Sequence, residues 1–205
     1  FSESLGSLNI ARAANDYPMI HQVNEILQNS KRVIFSTYSG ELQRIQKIIS
    51  LCVQNGRRIA IIGKKAQKTI NIAMNEGYLH IPQENLVNLK YINDEIKNDD
   101  DDLAIIITGL RHEPYYTLQR VCNGADRLIQ IKEDDKVIII SQPYTGTEII
   151  AQKAIGLLNR QGATVSMISK SMLQSSHADS EDLKMMYNIL KPTYVIPVVG
   201  EYRHQ

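Results

Sequence analysis

A chain of 205 residues, 43% hydrophobic and 22% charged, can bury a proper core and has the composition of an ordinary globular protein. Its net charge of +1 excludes a global pull on nucleic acid, so any such binding must come from a local groove or from parts outside this chain. Cys52 and Cys122 form no Cys-x-x-Cys pair, which argues against a disulfide framework or zinc knuckle and fits reduced thiols in a cytoplasmic protein.

No apolar run approaches membrane-spanning length, and nothing ahead of the first charges reads as a signal peptide, so no membrane partner is expected. The chain begins at Phe1 rather than Met, as a piece excised from a longer protein would. Residues 1–7 read as a polar loop. A helix over Met19–Asn29 follows, with Ile20, Val23, Ile26 and Leu27 on one stripe. A rhythm then sets in of β-branched run, polar turn and amphipathic helix. The runs are Arg32–Tyr38, Arg58–Gly63, Leu103–Gly109, Lys136–Gln142, Thr164–Ser169 and Thr193–Gly200. The helices are Glu41–Gln54, Ala66–Asn75, Tyr115–Asn123, Thr147–Arg160 and Ser180–Leu190. Val87–Ile92 and Arg127–Ile131 read as edge strands, and the run Lys97–Asp102, with its four consecutive acids, as a solvated turn rather than a metal site. The last run, with Tyr194, Val195, Ile196, Val198 and Val199, is expected to be a buried strand. Alternating strands and helices predict an α/β fold: a doubly wound, mainly parallel, Rossmann-like sheet of about six strands flanked by helices.

The familiar motifs are missing. There is no Gly-x-Gly-x-x-Gly, no Walker sequence and no Gly-x-Ser-x-Gly elbow. His21, His80, His112, His177 and His204 are scattered, with no metal-binding spacing. What remains is a set of loops at strand ends: Ser36–Glu41, Gly63–Lys65, Thr108–Pro114, Ser141–Glu148 and Ser175–His177. In a parallel sheet these share one rim. They offer hydroxyls, helix N-termini and the cations Lys64, Lys65 and Arg111, which suit phosphate, while Tyr38, Tyr115 and Tyr144 are candidates to stack bases. Taken singly, each loop also reads as an ordinary cap or turn. Asp179 is an expected N-cap with Glu181 and Asp182 in the first turn, and Glu113 an expected structural acid at a helix start.

A family resemblance covers nearly the whole chain. Ser175-Ser176-His177-Ala178-Asp179 and Lys191-Pro192 through Pro197-Val198-Val199-Gly200-Glu201-Tyr202-Arg203 resemble the β-CASP region of ribonuclease J, a metallo-β-lactamase-type RNA nuclease. Thr108-Gly109 with Glu113-Pro114, and Pro143 with Gly146 and Glu148, are similar to further motifs of that family. The resemblance implies a β-CASP domain over 19–192, a segment 1–18 arriving from a metallo-β-lactamase domain, and a return strand and motif over 193–205. It implies RNA contacts at Gly40, Glu41, Leu42, Leu173, Gln174, Ser175, Ser176 and His177. Glu3 and His177 stand at catalytic positions of a degenerate site.

The departures concentrate where metal or phosphate would be touched. Val199 stands where the family carries a metal-binding His, Asp179 where it carries Ser, and Gly40 where it carries Ser. That pattern is similar to the diverged second paralogue of the family in Gram-positive bacteria. It implies zinc in an absent metallo-β-lactamase domain, none bound by this chain, and weak or no catalysis. It also implies 5′-monophosphorylated single-stranded RNA as partner, in a homo-oligomer or a heteromer with an active paralogue. Two other readings are a stand-alone nucleotide or small-ligand-binding α/β domain, and an active zinc nuclease with a substitute ligand.

Overall fold

Short runs rich in Ile and Val become strands here because helices cover both faces of the sheet, so no polar alternation is required. The computed structural model describes residues 4, 6–8, 15–63, 66–89, 100–174 and 177–204. Its strands are β1 (Val33–Tyr38), β2 (Arg58–Ile62), β3 (Leu103–Gly109), β4 (Lys136–Ile139) and β5 (Thr164–Met167). Its helices are α1 (Tyr17–Gln28), α2 (Leu42–Gln54), α3 (Ala66–Asn75), α4 (Glu113–Cys122), α5 (Glu148–Arg160) and α6 (Ser180–Leu190). Every strand pair is parallel, in the order β2-β3-β1-β4-β5. The chain leaves β1 toward β2 on one side and crosses from β3 past β1 to β4 on the other. The sheet is therefore doubly wound, the α/β class that the alternating runs predict.

Every residue of β1 and β3 is buried. On one face Ile34, Ile105 and Ile139 pack with Tyr115 and Leu118 of α4 and with Ala154 and Leu158 of α5. Strand alternation turns Val33, Phe35, Ile106 and Ile138 to the other face, and they are equally buried, as are Ile45, Ile48 and Ile49 of α2. Each such side chain stabilises the fold by about 1.5–3 kcal/mol relative to exposure. Contacts divide the chain into two units: Ile20–Ile168, which holds the sheet, and Phe1–Met19 together with Ser169–Gln205.

The amino ends of the strands are tied by charge. Arg32, just before β1, donates Nε and a terminal nitrogen to the two oxygens of Asp135, each at 2.7 Å. Its other terminal nitrogen reaches Asp100 Oδ2 at 2.6 Å, and Lys132 Nζ reaches Asp100 Oδ1 at 2.5 Å. Arg32, Asp100 and Asp135 are all buried. Burial pulls the guanidinium pKa down, but the hydrogen bonds and charges of Asp135 and Asp100 outweigh it and hold it above its ordinary value. Within the acidic run before β3, Asp100 is thus not part of the solvated turn expected. Asp100 is buried in this network, Asp102 pairs with Arg58 at 2.5 Å, and Asp101 is exposed beside Lys31. Residues 90–99 lie outside the described set.

Two strand expectations are corrected. The run at 193–200 forms no strand, and Tyr194 (85%) and Val199 (54%) are exposed. An apolar β-branched run signals burial against something, but a strand also needs a neighbour for its backbone groups. The backbone bonds found to this run come from Ser4, whose N–H donates to the carbonyls of Val198 and Val199 at 3.2 Å. The sheet therefore has five strands. Residues 127–131 form none either, because that segment serves the charge network: the Gln130 carbonyl accepts from Arg32, and the Leu128 N–H donates to Asp126. Near the other predicted edge, the Val87 N–H donates to Ile59 at 2.8 Å beside a parallel bridge between Ile59 and Leu86.

Candidate nucleic-acid interface

Parallel strands bring the turns after β1, β3 and β4 to one end of the sheet, and β1 lies between the other two strands. In the first turn Gly40 is exposed, with nothing within 4 Å of where a Cβ would stand. Glu41 precedes α2 and pairs with Arg44 at 2.6 Å, and Leu42 is half-buried. The turn thus offers open backbone at Gly40 and a carboxylate whose charge is already matched. Lys64 and Lys65 lie outside the described residues.

Behind these turns lies a buried hydroxyl layer. The Ser36 and Ser141 hydroxyls face each other at 2.9 Å. The Tyr38 hydroxyl donates to the Gln142 carbonyl and the Tyr115 hydroxyl to the Ser141 carbonyl. Burial pushes both phenols above the ordinary tyrosine pKa. Tyr115 is 0% exposed and Tyr38 6%, so neither ring can stack a base, which corrects the sequence expectation for both. The signal was present for Tyr115: Tyr115, Leu118 and Cys122 stand at i, i+3 and i+7, one buried helix face. Tyr144 is 52% exposed, its ring centroid 5.0 Å from that of Tyr38 and tilted by 42°.

The turn after β3 is built on Glu113, which accepts from the Leu110 N–H at 2.9 Å and heads α4. Gly109 allows that closure, since a Cβ there would lie 2.7 Å from the Glu113 Cβ. Arg111 is exposed at φ 47°, and the His112 ring meets Tyr116 edge-on at 5.1 Å. Sequence reasoning placed Thr37 and Thr108 in two separate hydroxyl-bearing loops and missed that they pair. They are register partners at the ends of β1 and β3, and their buried hydroxyls have no hydrogen-bond partner among the described residues. Only strand pairing, which no local pattern encodes, brings them together.

The second unit carries the remaining candidates. His177 is half-buried in the turn before α6; Leu173 is buried and Gln174 exposed. The Gln174 N–H donates to Asp16 at 2.8 Å. Glu3, Ser175 and Ser176 lie outside the described residues. Gly6 lies so close to the His177 turn that a Cβ would stand 1.9 Å from the Ala178 carbonyl oxygen. Asp179 caps α6: its Oδ1 accepts from the N–H groups of Glu181 and Asp182 at 2.9 Å, while Asp182 accepts from the Asp179 N–H at 3.2 Å. Its Oδ2 is buried with no hydrogen-bond partner among the described residues. Ser4, Ser180, Leu183, Tyr187, Ile196 and His204 help line a cleft of about 210 Å³. At its edge the Ser7 hydroxyl donates to the His204 carbonyl at 2.5 Å, and His204 Nδ1 accepts from the Glu201 N–H at 3.0 Å.

These residues do not fit a metal ion. Among the described residues no three His, Cys, Asp or Glu side chains converge to hold one. Val199 presents an apolar side chain, and Asp179 Oδ1 is committed to the helix cap. No helix among them is long and apolar enough to cross a membrane.

Comparison with known proteins covers both units. A family described as "Ribonuclease J, beta-CASP domain" matches residues 30–158, and one described as "Zn-dependent metallo-hydrolase RNA specificity domain" matches residues 164–205. Ribonuclease J2 of Bacillus subtilis is 39% identical over 90% of this chain and 33% of that protein. Ribonuclease J 2 of Streptococcus pyogenes is 31% identical over 98% of this chain and 36% of that protein. The chain thus spans about a third of the length of these relatives. Among solved structures, a shikimate kinase of Acinetobacter baumannii aligns at a TM-score of 0.28 and 12% identity over 82% of this chain and 97% of that one, which bears on neither fold nor function. With its doubly wound sheet matched by the β-CASP family and its C-terminal unit by the RNA specificity family, the chain belongs to the ribonuclease J family.

Proposed function

We propose that this chain is the RNA-clamping part of a ribonuclease J-type 5′-to-3′ exoribonuclease and endoribonuclease of the cytoplasm, acting in rRNA processing and mRNA decay. In this reading the parent protein has weak or no nuclease activity and works in a complex with an active paralogue. The observation that carries it is position 199. The family pattern calls for an imidazole ligand there, and this chain has an exposed Val, which cannot bind a metal. Zinc would sit in a metallo-β-lactamase domain outside this chain, deprived of that ligand.

The same reading gives roles to the rest. Gly40, Glu41 and Leu42, and in the other unit Leu173, Gln174, Ser175, Ser176 and His177, are the RNA-contact positions of the family, and Glu3 and His177 are remnants of the catalytic site. Residues 19–192 form the β-CASP domain, and 1–18 and 193–205 join it to the metallo-β-lactamase domain. The exposed Tyr194, Ile196, Val199 and Tyr202 support that junction, because a contiguous apolar segment of this kind is normally covered.

The test uses the full-length protein on 5′-monophosphorylated single-stranded RNA with Mn²⁺ or Zn²⁺, beside an active paralogue. The reading expects binding with little degradation, and a large gain of activity on Val199→His. Rapid degradation by the unaltered protein would overturn it.

A further inference from the structure

We infer that Tyr144 is a base-stacking residue for single-stranded RNA; the inference deepens the clamping reading above and rests on it. Tyr144 is exposed yet held. Its carbonyl accepts from the Thr147 hydroxyl at 2.7 Å and the Thr147 N–H at 2.8 Å, which closes the turn after β4. The Gly146 N–H donates to Glu148 at 2.7 Å, fixing the same turn to the start of α5. Tyr38 backs the ring and is itself immobilised, buried in the sheet with its hydroxyl on the Gln142 carbonyl. The support continues inward through Ser36, Ser141 and Tyr115.

A ring so supported has little rotamer freedom left to lose when a flat partner covers it. Its place is suited to such a partner. The turn after β4 adjoins the turn after β1, since those strands are neighbours, and the latter carries the open backbone of Gly40. An unpaired nucleotide presents a π-face, and removing one base–aromatic stack weakens binding by roughly tenfold or more. Such a stack reads unstacked bases rather than sequence, and a base inside a duplex has no free face to give. The chain's net charge of +1 fits a contact of this kind better than a purely ionic one.

The probe is single-stranded RNA carrying 2-aminopurine, titrated with the full-length protein. Stacking quenches the probe, a readout that a merely structural residue does not move. The unaltered protein, Tyr144→Phe and Tyr144→Trp are expected to bind and quench. Tyr144→Ala is expected to bind about tenfold more weakly and lose the quenching, with duplex RNA binding unchanged. If the protein binds RNA but Tyr144→Ala binds and quenches equally, the stack is overturned while the clamping reading stands. If Tyr144→Phe fails as badly as Tyr144→Ala, the hydroxyl matters rather than the ring, and the stack is again overturned. If Tyr144→Ala changes self-association and not RNA binding, the residue is a protein contact. No RNA binding by the unaltered protein overturns both readings.

Discussion

The Ser4 hydroxyl donates to the Val199 carbonyl at 2.5 Å, and the Ser4 N–H reaches the same oxygen at 3.2 Å. These bonds, from a residue 195 positions away in the chain, help hold a β-branched side chain at φ 59°. Val is a genuine outlier in that left-handed region, whereas Asn and His are enriched there. Val199 therefore sits in a backbone shape that suits another residue type, at a cost on the order of 1–3 kcal/mol. Val199→Asn is expected to raise the urea unfolding midpoint, and Ser4→Ala to lower stability by about 1 kcal/mol through the lost hydrogen bond. Equal midpoints for Val199→Asn and the unaltered chain would show that the turn relaxes without strain.

The Arg32–Asp135 pair, at the amino ends of the strands, makes a larger prediction. Removing one partner of a buried bidentate pair strands the other charge, and such losses run to about 3–5 kcal/mol. Asp135→Ala also removes the acceptor for the Lys132 N–H at 2.7 Å. Chemical denaturation should show that loss, while Asp101→Ala, whose carboxylate pairs only at the surface with Lys31, should stay within about 0.5 kcal/mol. A small effect of Asp135→Ala would mean that water enters the network when it is broken.

What the sequence revealed and concealed follows from how local each signal is. β1 and β3 were legible because the apolar stretches Val33–Phe35 and Leu103–Ile107 have few other uses between turns, and the α6 cap because Asp179 stands two and three residues before the N–H groups it accepts. Arg32, Asp100 and Asp135 were not, since each is an ordinary charge beside a strand until β1, β3 and β4 align. The run around Tyr194 misled because apolar β-branched residues announce burial without naming the surface that buries them. At the candidate interface, Gly40 and Tyr144 were visible as turn residues, but their exposure was not; Tyr38 and Tyr115 carry the same side chain and are buried.

The Arg58–Asp102 pair gives a pH dependence. The Arg58 hydrogen bonds are the main cause of the Asp102 carboxyl lying below its ordinary value. A carboxylate with a depressed folded pKa contributes stability that is complete above its unfolded value, about 3.9, and is lost as pH falls through the lower folded value. Asp102→Asn should therefore reduce stability near neutrality, and the difference from the unaltered chain should fade below about pH 4. Because the pair is partly exposed, added salt should shrink the difference as well. A gap that persists in strong acid would trace the effect to packing rather than charge.

Both thiols should be silent in the folded chain. Burial pushes Cys52 up to about 12 and Cys122 up to about 11, so almost no thiolate exists near neutral pH. A disulfide exchange reagent at pH 8 is expected to label neither until urea unfolds the chain, whereupon two equivalents react. Fast labelling of Cys122 without denaturant would show that the end of α4 opens locally.

Asp179 separates helix capping from electrostatics. Its Oδ1 holds two N–H groups of α6, so Asp179→Ala should destabilise the chain by about 1 kcal/mol. Asp179→Ser keeps an oxygen in the capping position and removes the charge, and Ser caps helices nearly as well as Asp. Its unfolding should therefore stay close to that of the unaltered chain. In the clamping reading, the same change removes a negative charge from the turn that carries His177, where an RNA phosphate would approach. Full-length Asp179→Ser is thus expected to bind 5′-monophosphorylated RNA more tightly, with the gain shrinking as salt is raised. Unchanged affinity with unchanged stability would assign the carboxylate to the helix cap alone.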